Sequence, residues 1–190
     1  AARIGALAEG DMAAAEQTAT QLCRAIGDEL RAVGIDVDCA PCLDVRREET
    51  TLAIGDRAFA ADPDVVARLG RCLADGLTQA GVLPVMKHLP GHGRARVDSH
   101  ELLPVVSASR RELAALDFVP FRRNADLPLA MTAHVVFEAI DPGIPATHSA
   151  KVIGEAIRGE IGFGGILLSD DLGMKALGGS FGERAERALA

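Results

Sequence analysis

The sequence predicts an α/β fold in which a parallel β-sheet is covered by helices. Strand-like and helix-like segments alternate along the 190 residues, each helical segment is amphipathic, and each strand-like segment is mostly apolar. Strands of a parallel sheet are buried on both faces, so they read as nearly continuous apolar runs. A hydrophobic content of 48% is enough for one sizeable core, which indicates a single domain or part of one.

Five helices are predicted from apolar spacing and from the residues that cap helices. Apolar residues at steps of three and four indicate amphipathic helices. Serine or aspartate marks the N-cap, and serine followed three residues later by glutamate forms a capping box. The predicted helices cover 12–33, 63–81 behind the cap Asp62, a segment behind the Ser109–Glu112 capping box, a segment from Ser149 that stops at Gly162, and a segment behind the Ser180–Glu183 capping box.

Four strands are predicted between these helices, and polar side chains lie at or near their ends. The apolar runs cover 35–45, 82–88, 127–137 and 164–171. Carboxyl ends of parallel strands meet at one edge of the sheet, where α/β barrels and open α/β sheets build their sites. The residues expected to meet there are Asp44, Lys87, His88, Thr132, His134, Asp170 and Asp171.

The charge and the hydropathy exclude several classes of partner. With 20 basic and 27 acidic residues the formal net charge is −7, so the surface repels nucleic acid and anionic membranes. No apolar run approaches the ~20 residues that a membrane-spanning helix needs, and the first residues lack the pattern of a secretion signal. We therefore expect a cytoplasmic protein that binds neither nucleic acid nor membranes.

The four cysteines are interpreted as ordinary small apolar residues in the reduced form. Cys39 and Cys42 have the spacing of a redox or zinc motif, but the sequence lacks a second pair at metal-ligand spacing. Both lie in a predicted strand, where residues i and i+3 point to opposite faces. Free cysteines are often buried, which is the role expected for residues 23, 39, 42 and 72.

The stretch KHLPGHGRARVDSH, residues 87–100, combines ionisable side chains with glycines. Asp98, two residues before His100, can accept one imidazole N–H and leave the other nitrogen free to give or take a proton, as a general acid/base requires. Gly91 and Gly93 relax the backbone, so the segment is predicted to be a mobile loop that closes over a substrate. The alternative for His100 is a solvated loop histidine without a catalytic role.

Asp170 follows the apolar run GGILLS, so its carboxylate is expected to be partly desolvated and to face whatever occupies this edge of the sheet. A carboxylate there can attack carbon, hold a metal ion or bind a sugar hydroxyl. Attack on an anomeric carbon agrees with a second group that protonates the leaving oxygen, as in retaining glycoside hydrolysis. His100 would then replace the usual carboxylic acid.

Two motifs carry a specific resemblance. KHLPGHGRARVDSH is similar to K-H-[FIL]-P-G-H-G-x-x-x-x-D-S-H, and GGILLSDDLGM is similar to G-[VIL]-[IL]-x-S-D-D-L-x-M, both patterns of the bacterial β-N-acetylglucosaminidases of glycoside hydrolase family 3. APCLDV, GDRAF, MTAHV and FGERA resemble further blocks of that family in the same order. The resemblance implies a (β/α)8 barrel of the TIM type, which usually takes about 250 residues. Residues 1–190 would then be a partial N-terminal catalytic domain with about four or five βα units.

The resemblance also implies a role for each matching residue. Asp170 would be the catalytic nucleophile, His100 the general acid/base and Asp98 its partner. The residues that would hold hydroxyl groups of the sugar are Arg57, Lys87 and His88.

The substrates that the resemblance implies are small cell-wall fragments. They are chiefly N-acetylglucosamine β-1,4-linked to 1,6-anhydro-N-acetylmuramic acid, with or without a peptide, released during peptidoglycan recycling. The family needs no metal ion or cofactor. A partial barrel leaves two unpaired sheet edges, which self-association would cover.

Two other functions remain open from the sequence. A metal-dependent hydrolase of the TIM-barrel type would gather histidines and a carboxylate around zinc, although the sequence lacks the H-x-H or H-E-x-x-H spacing. For this hydrolase the candidate zinc ligands are His88, His92, His100, His134 and Asp170.

The second alternative is a truncated barrel fragment that binds glycans without turnover, because strands expected on both sides are missing.

Overall fold

The computed structural model describes residues 1–189 and contains six α-helices within that range. Two π-helical segments cover Leu113–Asp117 and Val152–Ile161, and two 3₁₀ turns cover Gly55–Arg57 and Ala146–His148. Within residues 1–189, no helix combines the length and the apolar character that crossing a membrane requires. The α-helices are α1 (Ala2–Gly10), α2 (Met12–Ala32), α3 (Pro63–Gln79), α4 (Arg110–Glu112), α5 (Val119–Arg123) and α6 (Phe181–Leu189).

Four parallel strands form the central sheet. The strands of residues 1–189 are β1 (Val37–Asp38), β2 (Leu83–Leu89), β3 (Val105–Val106), β4 (Leu129–Thr132), β5 (Val136–Phe137) and β6 (Ile166–Ser169). The central sheet has the order β1-β2-β4-β6, and β3 and β5 form a separate parallel pair. Helical segments connect consecutive strands of the central sheet. The predicted α/β fold with a parallel sheet is therefore confirmed.

The capping residues predicted from the sequence act as caps in the structure. The main-chain N–H of Ser109 donates to the Glu112 carboxylate at 2.8 Å, and the N–H of Glu112 donates to the Ser109 hydroxyl at 3.3 Å. This reciprocal pair satisfies two donors that a helix start otherwise leaves free. The other predicted caps are also observed: Asp62 at α3, Ser149 before the second π-helical segment, Ser180 with Glu183 at α6, and a left-handed Gly162 with φ 79°.

Helix α1 is an element that the sequence analysis did not predict. Its apolar residues are mostly alanine and glycine, so the amphipathic signal is weak. Gly5 fits against the main chain of Phe59, where an added Cβ would lie 1.8 Å from the carbonyl oxygen. Close tertiary packing therefore holds this helix in place.

The first predicted strand is much shorter in the structure. Of residues 35–45 only β1 pairs regularly with β2, and the ladder resumes as an isolated bridge between Cys42 and Lys87. Pro41 lies between β1 and Cys42 and has no N–H to donate, so the regular pairing cannot continue through this residue.

The predicted strand 127–137 is divided into β4 and β5. Between them, the N–H of Ala133 donates to the carbonyl of Leu89 at 2.8 Å, and the carbonyl of Val135 accepts from Ala146 at 2.8 Å. Ala133 thus still bonds to β2 of the central sheet, whereas Val135 bonds to a segment outside it. The prediction of one continuous strand here was wrong because apolar sequence does not reveal which partner each main-chain group finds.

The helices cover one face of the central sheet. Met86 of β2 and Ala130 of β4 are neighbours in the sheet register and are both fully buried there. Helices α2 and α3 pack closely because Gly76 has no side chain; a Cβ at that position would lie 2.4 Å from the carbonyl oxygen of Thr20.

The opposite face of the sheet is apolar and partly exposed in residues 1–189, although Val85 on this face is fully buried. Leu83, Ile166 and Leu168 are 47%, 65% and 37% exposed, and the strand register places all three on this face. Within the described range, β1 and β6 each have one neighbouring strand, so the sheet has two open edges.

Candidate active site

Five of the six predicted site residues line one cleft at the carboxyl ends of the sheet strands. The cleft encloses about 140 Å³. The sixth residue, Asp98, lies behind His100 and bonds to its imidazole. The predicted residues in the lining are Arg57, Lys87, His88, His100 and Asp170, and the remaining wall is formed by Ala53, Ile54, His92, Ser99 and Met174.

Lys87 and His88 both reach the cleft although they are consecutive residues of β2. Consecutive side chains in a regular strand point to opposite faces. The register between β2 and β4 shifts between Lys87 and Leu89, and such an irregularity re-aims the side chains around it. The local shift therefore lets both polar side chains face the same space.

Asp44 is the central hydrogen-bond acceptor beneath the cleft. Its fully buried carboxylate accepts from Nδ1 of His88 at 2.7 Å, from the main-chain N–H of His92 at 2.6 Å and from the Cys42 thiol at 3.2 Å. Burial opposes ionisation of Asp44, but His88 and His92 outweigh it and hold the pKa of Asp44 well below its usual range. The sequence placed Asp44 near a strand end without assigning it a role.

The bond to Asp44 orients the ring of His88 towards Asp170. An ionised carboxylate only accepts, so Nδ1 of His88 carries the proton and Nε2 faces the cleft. Nε2 lies 3.9 Å from Oδ2 of Asp170. The ring of His92 packs edge-on at 5.6 Å from that of His88, and burial lowers the pKa of His92. The cleft floor thus contains Asp44 hydrogen-bonded to His88, and His88 next to Asp170.

Asp170 occupies the first position after β6. Its side chain is 14% exposed, so it is mostly withdrawn from water, as predicted. Oδ1 accepts from the main-chain N–H of Asp171 at 2.9 Å, and Oδ2 lies on the side of His88.

His134 supports the Asp170 segment from beneath. Its Nε2 donates to the main-chain carbonyl of Asp171 at 3.0 Å, and its Nδ1 lies 2.7 Å from the hydroxyl of Thr147. Burial lowers the pKa of His134, which favours the neutral ring in this position. Its contacts fix the loop after β6 and do not enter the cleft lining.

Asp98 and His100 form a second carboxylate–imidazole pair, on the loop after β2. The Asp98 carboxylate accepts from Nδ1 of His100 at 2.7 Å and from its main-chain N–H at 2.9 Å. The main-chain bond and then the imidazole bond lower the pKa of Asp98. The predicted local pair is therefore present, and the second imidazole nitrogen is left for other partners.

The first half of this loop, residues 89–95, is packed against neighbouring main chain, and the mobility of the whole loop stays a prediction. A Cβ on Gly93 would lie 2.0 Å from the carbonyl oxygen of Val45. The Gly93 carbonyl accepts from the Thr50 hydroxyl at 2.6 Å, and the Ala95 carbonyl accepts from Thr51 at 2.9 Å. Glycine is needed here for close main-chain approach rather than for freedom of movement.

A buried ion pair also anchors the loop. Nε of Arg94 donates to Oδ2 of Asp117 at 2.7 Å, and Asp117 is 1% exposed. Burial raises the pKa of Asp117, and the hydrogen bond from Arg94 opposes that effect. No local pattern in the sequence indicates this pair, because its members lie 23 positions apart.

The second half of the loop carries His100 to the segment that follows Asp170. The carbonyl of Ser99 accepts from the N–H of Ala176 at 3.2 Å, and the carbonyl of His100 accepts from Lys175 at 3.3 Å. These two main-chain bonds bring the loops after β2 and β6 together over one side of the cleft.

Arg57 enters the cleft wall from the 3₁₀ turn before α3. Its Nε donates to the carbonyl of Ala53 at 3.0 Å, which fixes the guanidinium plane on the loop side of the cleft. Its remaining donors are available to a polar ligand, because guanidinium has five N–H groups.

The cysteine interpretation is correct for Cys23 and Cys42, which are buried, and wrong for Cys39, which is exposed. Cys39 directly follows the edge strand β1, where no helix covers it. Cys72 is half-buried, and all four thiols are free. Since one thiol of the C-A-P-C motif is exposed and the other buried, the two do not form one site.

One group of three potential metal ligands occurs within residues 1–189. It combines Cys42, Asp44 and His88, whose donor atoms all lie within 4.8 Å of one another. The ligand set of the metal-dependent hydrolase hypothesis does not come together in this way. His88 alone belongs to both sets, so the geometry does not support that hypothesis.

Comparisons with known proteins identify the family. The family model for the "Glycosyl hydrolase family 3 N terminal domain" matches residues 4–190. A β-hexosaminidase from Alkalilimnicola ehrlichii is 43% identical over 190 residues, which cover 98% of this chain and 54% of that relative. The chain thus spans about half the length of the curated relatives it matches.

Solved structures give the same result. NagZ from Neisseria gonorrhoeae in complex with N-trifluoroacetyl-D-glucosamine has a TM-score of 0.89 at 39% identity, covering 98% of this chain and 54% of that one. The same protein in complex with zinc ion has a TM-score of 0.87 at 36% identity, covering 98% and 53%. This chain therefore belongs to glycosyl hydrolase family 3, and its parallel sheet with covering helices is part of the family's TIM-barrel-type N-terminal domain.

Proposed function

We propose that this chain is a partial catalytic domain and carries the reacting groups of a retaining β-N-acetylglucosaminidase. The observation that carries the proposal is the common cleft of Asp170 and His100, a mostly buried carboxylate and an accessible imidazole. The relatives named β-hexosaminidase and the glucosamine derivative bound to NagZ support an amino sugar as substrate.

In the first step Asp170 acts as the nucleophile. One carboxylate oxygen bonds to C1 of a terminal β-linked N-acetylglucosamine while the bond from C1 to the leaving oxygen breaks. His100, protonated on both nitrogens, gives the proton of Nε2 to that oxygen. The Asp98 carboxylate accepts from Nδ1 and so leaves Nε2 as the nitrogen that serves the leaving oxygen. The product is an α-linked glycosyl-aspartate.

In the second step His100 acts as the base. Its neutral Nε2 takes a proton from water while the water oxygen attacks C1 and the bond to Asp170 breaks. The carboxylate and the protonated imidazole are both restored. Two inversions at C1 give net retention of the β configuration.

Arg57, Lys87 and His88 are proposed to hold the sugar in this cleft. Arg57 and Lys87 offer only donors, so they suit hydroxyl and carbonyl oxygens. His88 is held by Asp44 with Nε2 towards the cleft, where it can accept from a hydroxyl close to Asp170. Together these groups would orient C1 for attack.

The finer substrate is proposed to be a muropeptide fragment of peptidoglycan recycling, with N-acetylglucosamine β-linked to 1,6-anhydro-N-acetylmuramic acid. The acidic net charge of −7 agrees with a small-molecule ligand rather than nucleic acid. Four free thiols agree with a reducing compartment, and we propose the cytoplasm. Cell fractionation with an antibody to this chain tests the location.

Hydrolysis of 4-nitrophenyl N-acetyl-β-glucosaminide by the 190-residue chain tests the activity. We expect release of 4-nitrophenol that is lost in Asp170→Ala and kept in Glu101→Gln, which removes an exposed carboxylate beside His100. Equal activity in Asp170→Ala and the intact chain would contradict the proposed nucleophile.

A non-catalytic glycan-binding fragment is the second candidate, because the chain spans about half of its relatives and one sheet face is open. This candidate predicts binding of N-acetylglucosamine without turnover. Saturation-transfer NMR with the sugar, run beside the hydrolysis assay, separates the two functions.

We also propose that two copies of the 190-residue chain associate through the open sheet face. The apolar side chains of Ile166 and Leu168 on the edge strand β6 favour such contact. Sedimentation velocity should show a dimer that Ile166→Lys dissociates. The control Leu52→Lys, at a 95% exposed loop position, should leave it intact.

A further inference from the structure

Cys42, Asp44 and His88 form a buried group of thiol, carboxylate and imidazole beneath the cleft. The three residues are 7%, 0% and 4% exposed. The Cys42 sulfur lies 3.2 Å from Oδ2 of Asp44, which lies 2.7 Å from Nδ1 of His88. The proposed hydrolytic mechanism uses the orientation of His88 but gives no role to the thiol.

The main chain holds these three donors in place. The N–H of Leu43 donates to the carbonyl of Lys87 at 2.7 Å, and the N–H of Lys87 donates to the carbonyl of Pro41 at 3.0 Å. The two segments are therefore paired in parallel at the residues that flank the donors. A ligand that binds all three atoms would meet a site that is largely formed in advance.

We propose that this group binds a borderline-soft divalent cation such as Zn²⁺ or Co²⁺ through Sγ of Cys42, Oδ2 of Asp44 and Nδ1 of His88. Thiolate and imidazole ligands favour these ions over Mg²⁺ and Ca²⁺, which take oxygen ligands. The ligand set is distinct from the Asp98–His100 pair, and the site does not depend on the proposed hydrolytic activity.

Two of the three donor separations are shorter than those that zinc requires, and all three lie within 4.8 Å. Bond lengths of about 2.0–2.3 Å to N, O and S in a tetrahedral site place neighbouring ligand atoms about 3.3–3.6 Å apart. The separation of sulfur and carboxylate is 3.2 Å, and that of carboxylate and imidazole is 2.7 Å. A widening of about half an ångström between Asp44 and His88 would admit the ion.

The proton balance of binding is defined by the hydrogen bonds. Burial and the neighbouring Asp44 raise the pKa of the Cys42 thiol, so the ion must displace that proton to solvent to gain a thiolate ligand. The proton of His88 moves from Nδ1 to Nε2 through water in the cleft, so the ring remains neutral. Nε2, which lies 3.9 Å from Asp170, then becomes a donor towards that carboxylate. Metal binding would thus occupy the carboxylate that the proposed mechanism uses as nucleophile.

The ion reaches this site from the cleft. His88 and Ile54 line the cleft wall, and Ile54 and Ala58 pack against Cys42. Of the three ligand residues, His88 is the one that borders the cleft directly.

Titration of the metal-free chain with Co²⁺ tests the proposal, because a thiolate ligand gives a sulfur-to-cobalt absorption band in the near ultraviolet. We expect the band in the wild type and in Cys39→Ser, the exposed cysteine of the same motif. It should be absent in Cys42→Val, whose folded state is verified by circular dichroism. A wild type without the band, or a Cys42→Val variant that keeps it, would overturn the proposal.

A second variant keeps the test decisive if Cys42→Val does not fold. His88→Gln retains the thiol but loses the imidazole ligand, so the Co²⁺ affinity should fall by at least about 10-fold. An unchanged affinity would overturn the assignment of His88. The metal-binding proposal is tested by absorption, and the hydrolytic function is tested by release of 4-nitrophenol. Failure of one proposal can therefore be distinguished from failure of the other.

Discussion

The molecule contains two carboxylate–imidazole pairs with the same 2.7 Å separation in opposite surroundings. In Asp44–His88 the side chains are 0% and 5% exposed, whereas in Asp98–His100 they are 38% and 59% exposed. In the buried pair the ionised Asp44 only accepts, so without a metal ion the proton lies on Nδ1 of His88. The exposed pair can exchange its proton with solvent. The comparison agrees with the proposed roles, in which the first pair positions groups and the second transfers protons.

The same contrast governs stability. An exposed ion pair contributes about 0–1 kcal/mol because water and salt screen it. Removing one partner of a buried pair leaves the other polar group without compensation, which costs far more. Substitutions in the two pairs should therefore differ strongly in folding free energy.

Asp44→Asn should have the largest effect on stability. The substitution removes the charge that compensates the burial of His88 and the main-chain N–H of His92. We expect a loss of about 3–5 kcal/mol in the free energy of unfolding, measured by urea denaturation. The matched variant Asp98→Asn should lose less than about 1 kcal/mol. Equal losses in the two variants would remove the distinction between the pairs.

The pH dependence of that difference sharpens the comparison. The folded pKa of Asp44 lies below its ordinary value of 3.8, so ionised Asp44 stabilises the fold above that pH. As pH falls below 3.8 towards the folded pKa, the contribution is lost. The stability difference between the wild type and Asp44→Asn should therefore be constant near neutral pH and shrink below about pH 4. A difference that grows on acidification contradicts this assignment.

Gly93→Ala tests whether the first half of the loop is packed. The new methyl group would lie 2.0 Å from the main-chain carbonyl oxygen of Val45, so the main chain must move. We expect a loss of about 1–3 kcal/mol, as for other overpacked positions, measured by urea denaturation. Gly178→Ala, where a Cβ meets nothing within 4 Å, is the control and should change stability by less than about 0.5 kcal/mol. Similar results for both glycines would contradict the close packing of Gly93 against Val45.

His100→Ala should have the smallest effect on stability, within about 0.5 kcal/mol, because the side chain is 59% exposed. The activity of the His100→Ala variant on a substrate with a poor leaving group should nevertheless fall about 10²–10⁴-fold, as for loss of a general acid. Azide should restore turnover of the nitrophenyl substrate and yield the β-glycosyl azide, which chromatography and NMR identify. An azide product with the α configuration would contradict the proposed role of His100 as general acid/base.

Much of the fold was predictable because the determining interactions are local. Capping pairs such as Ser109 with Glu112 lie three residues apart, and parallel strands bring Lys87 and Asp170 to one edge by geometry alone. The Asp98–His100 pair was predictable for the same reason, since two residues separate its members.

The remaining features depend on contacts between distant segments. The hydrogen bond between Asp44 and His88 spans 44 residues, and the packing role of Gly93 depends on the carbonyl of Val45. A glycine that gives freedom and a glycine that permits close approach look identical in a sequence. The division of residues 127–137 likewise follows from main-chain partners that apolar composition does not identify.

The most direct test of the central claim is trapping of the covalent intermediate. The chain is incubated with a 5-fluoro N-acetylglucosaminyl fluoride, digested with protease and analysed by tandem mass spectrometry. The proposed mechanism predicts one added sugar on the side chain of Asp170 and none on that residue in the presence of excess N-acetylglucosamine. A label on any other residue, or turnover of the nitrophenyl substrate without a trapped adduct, would contradict Asp170 as the nucleophile.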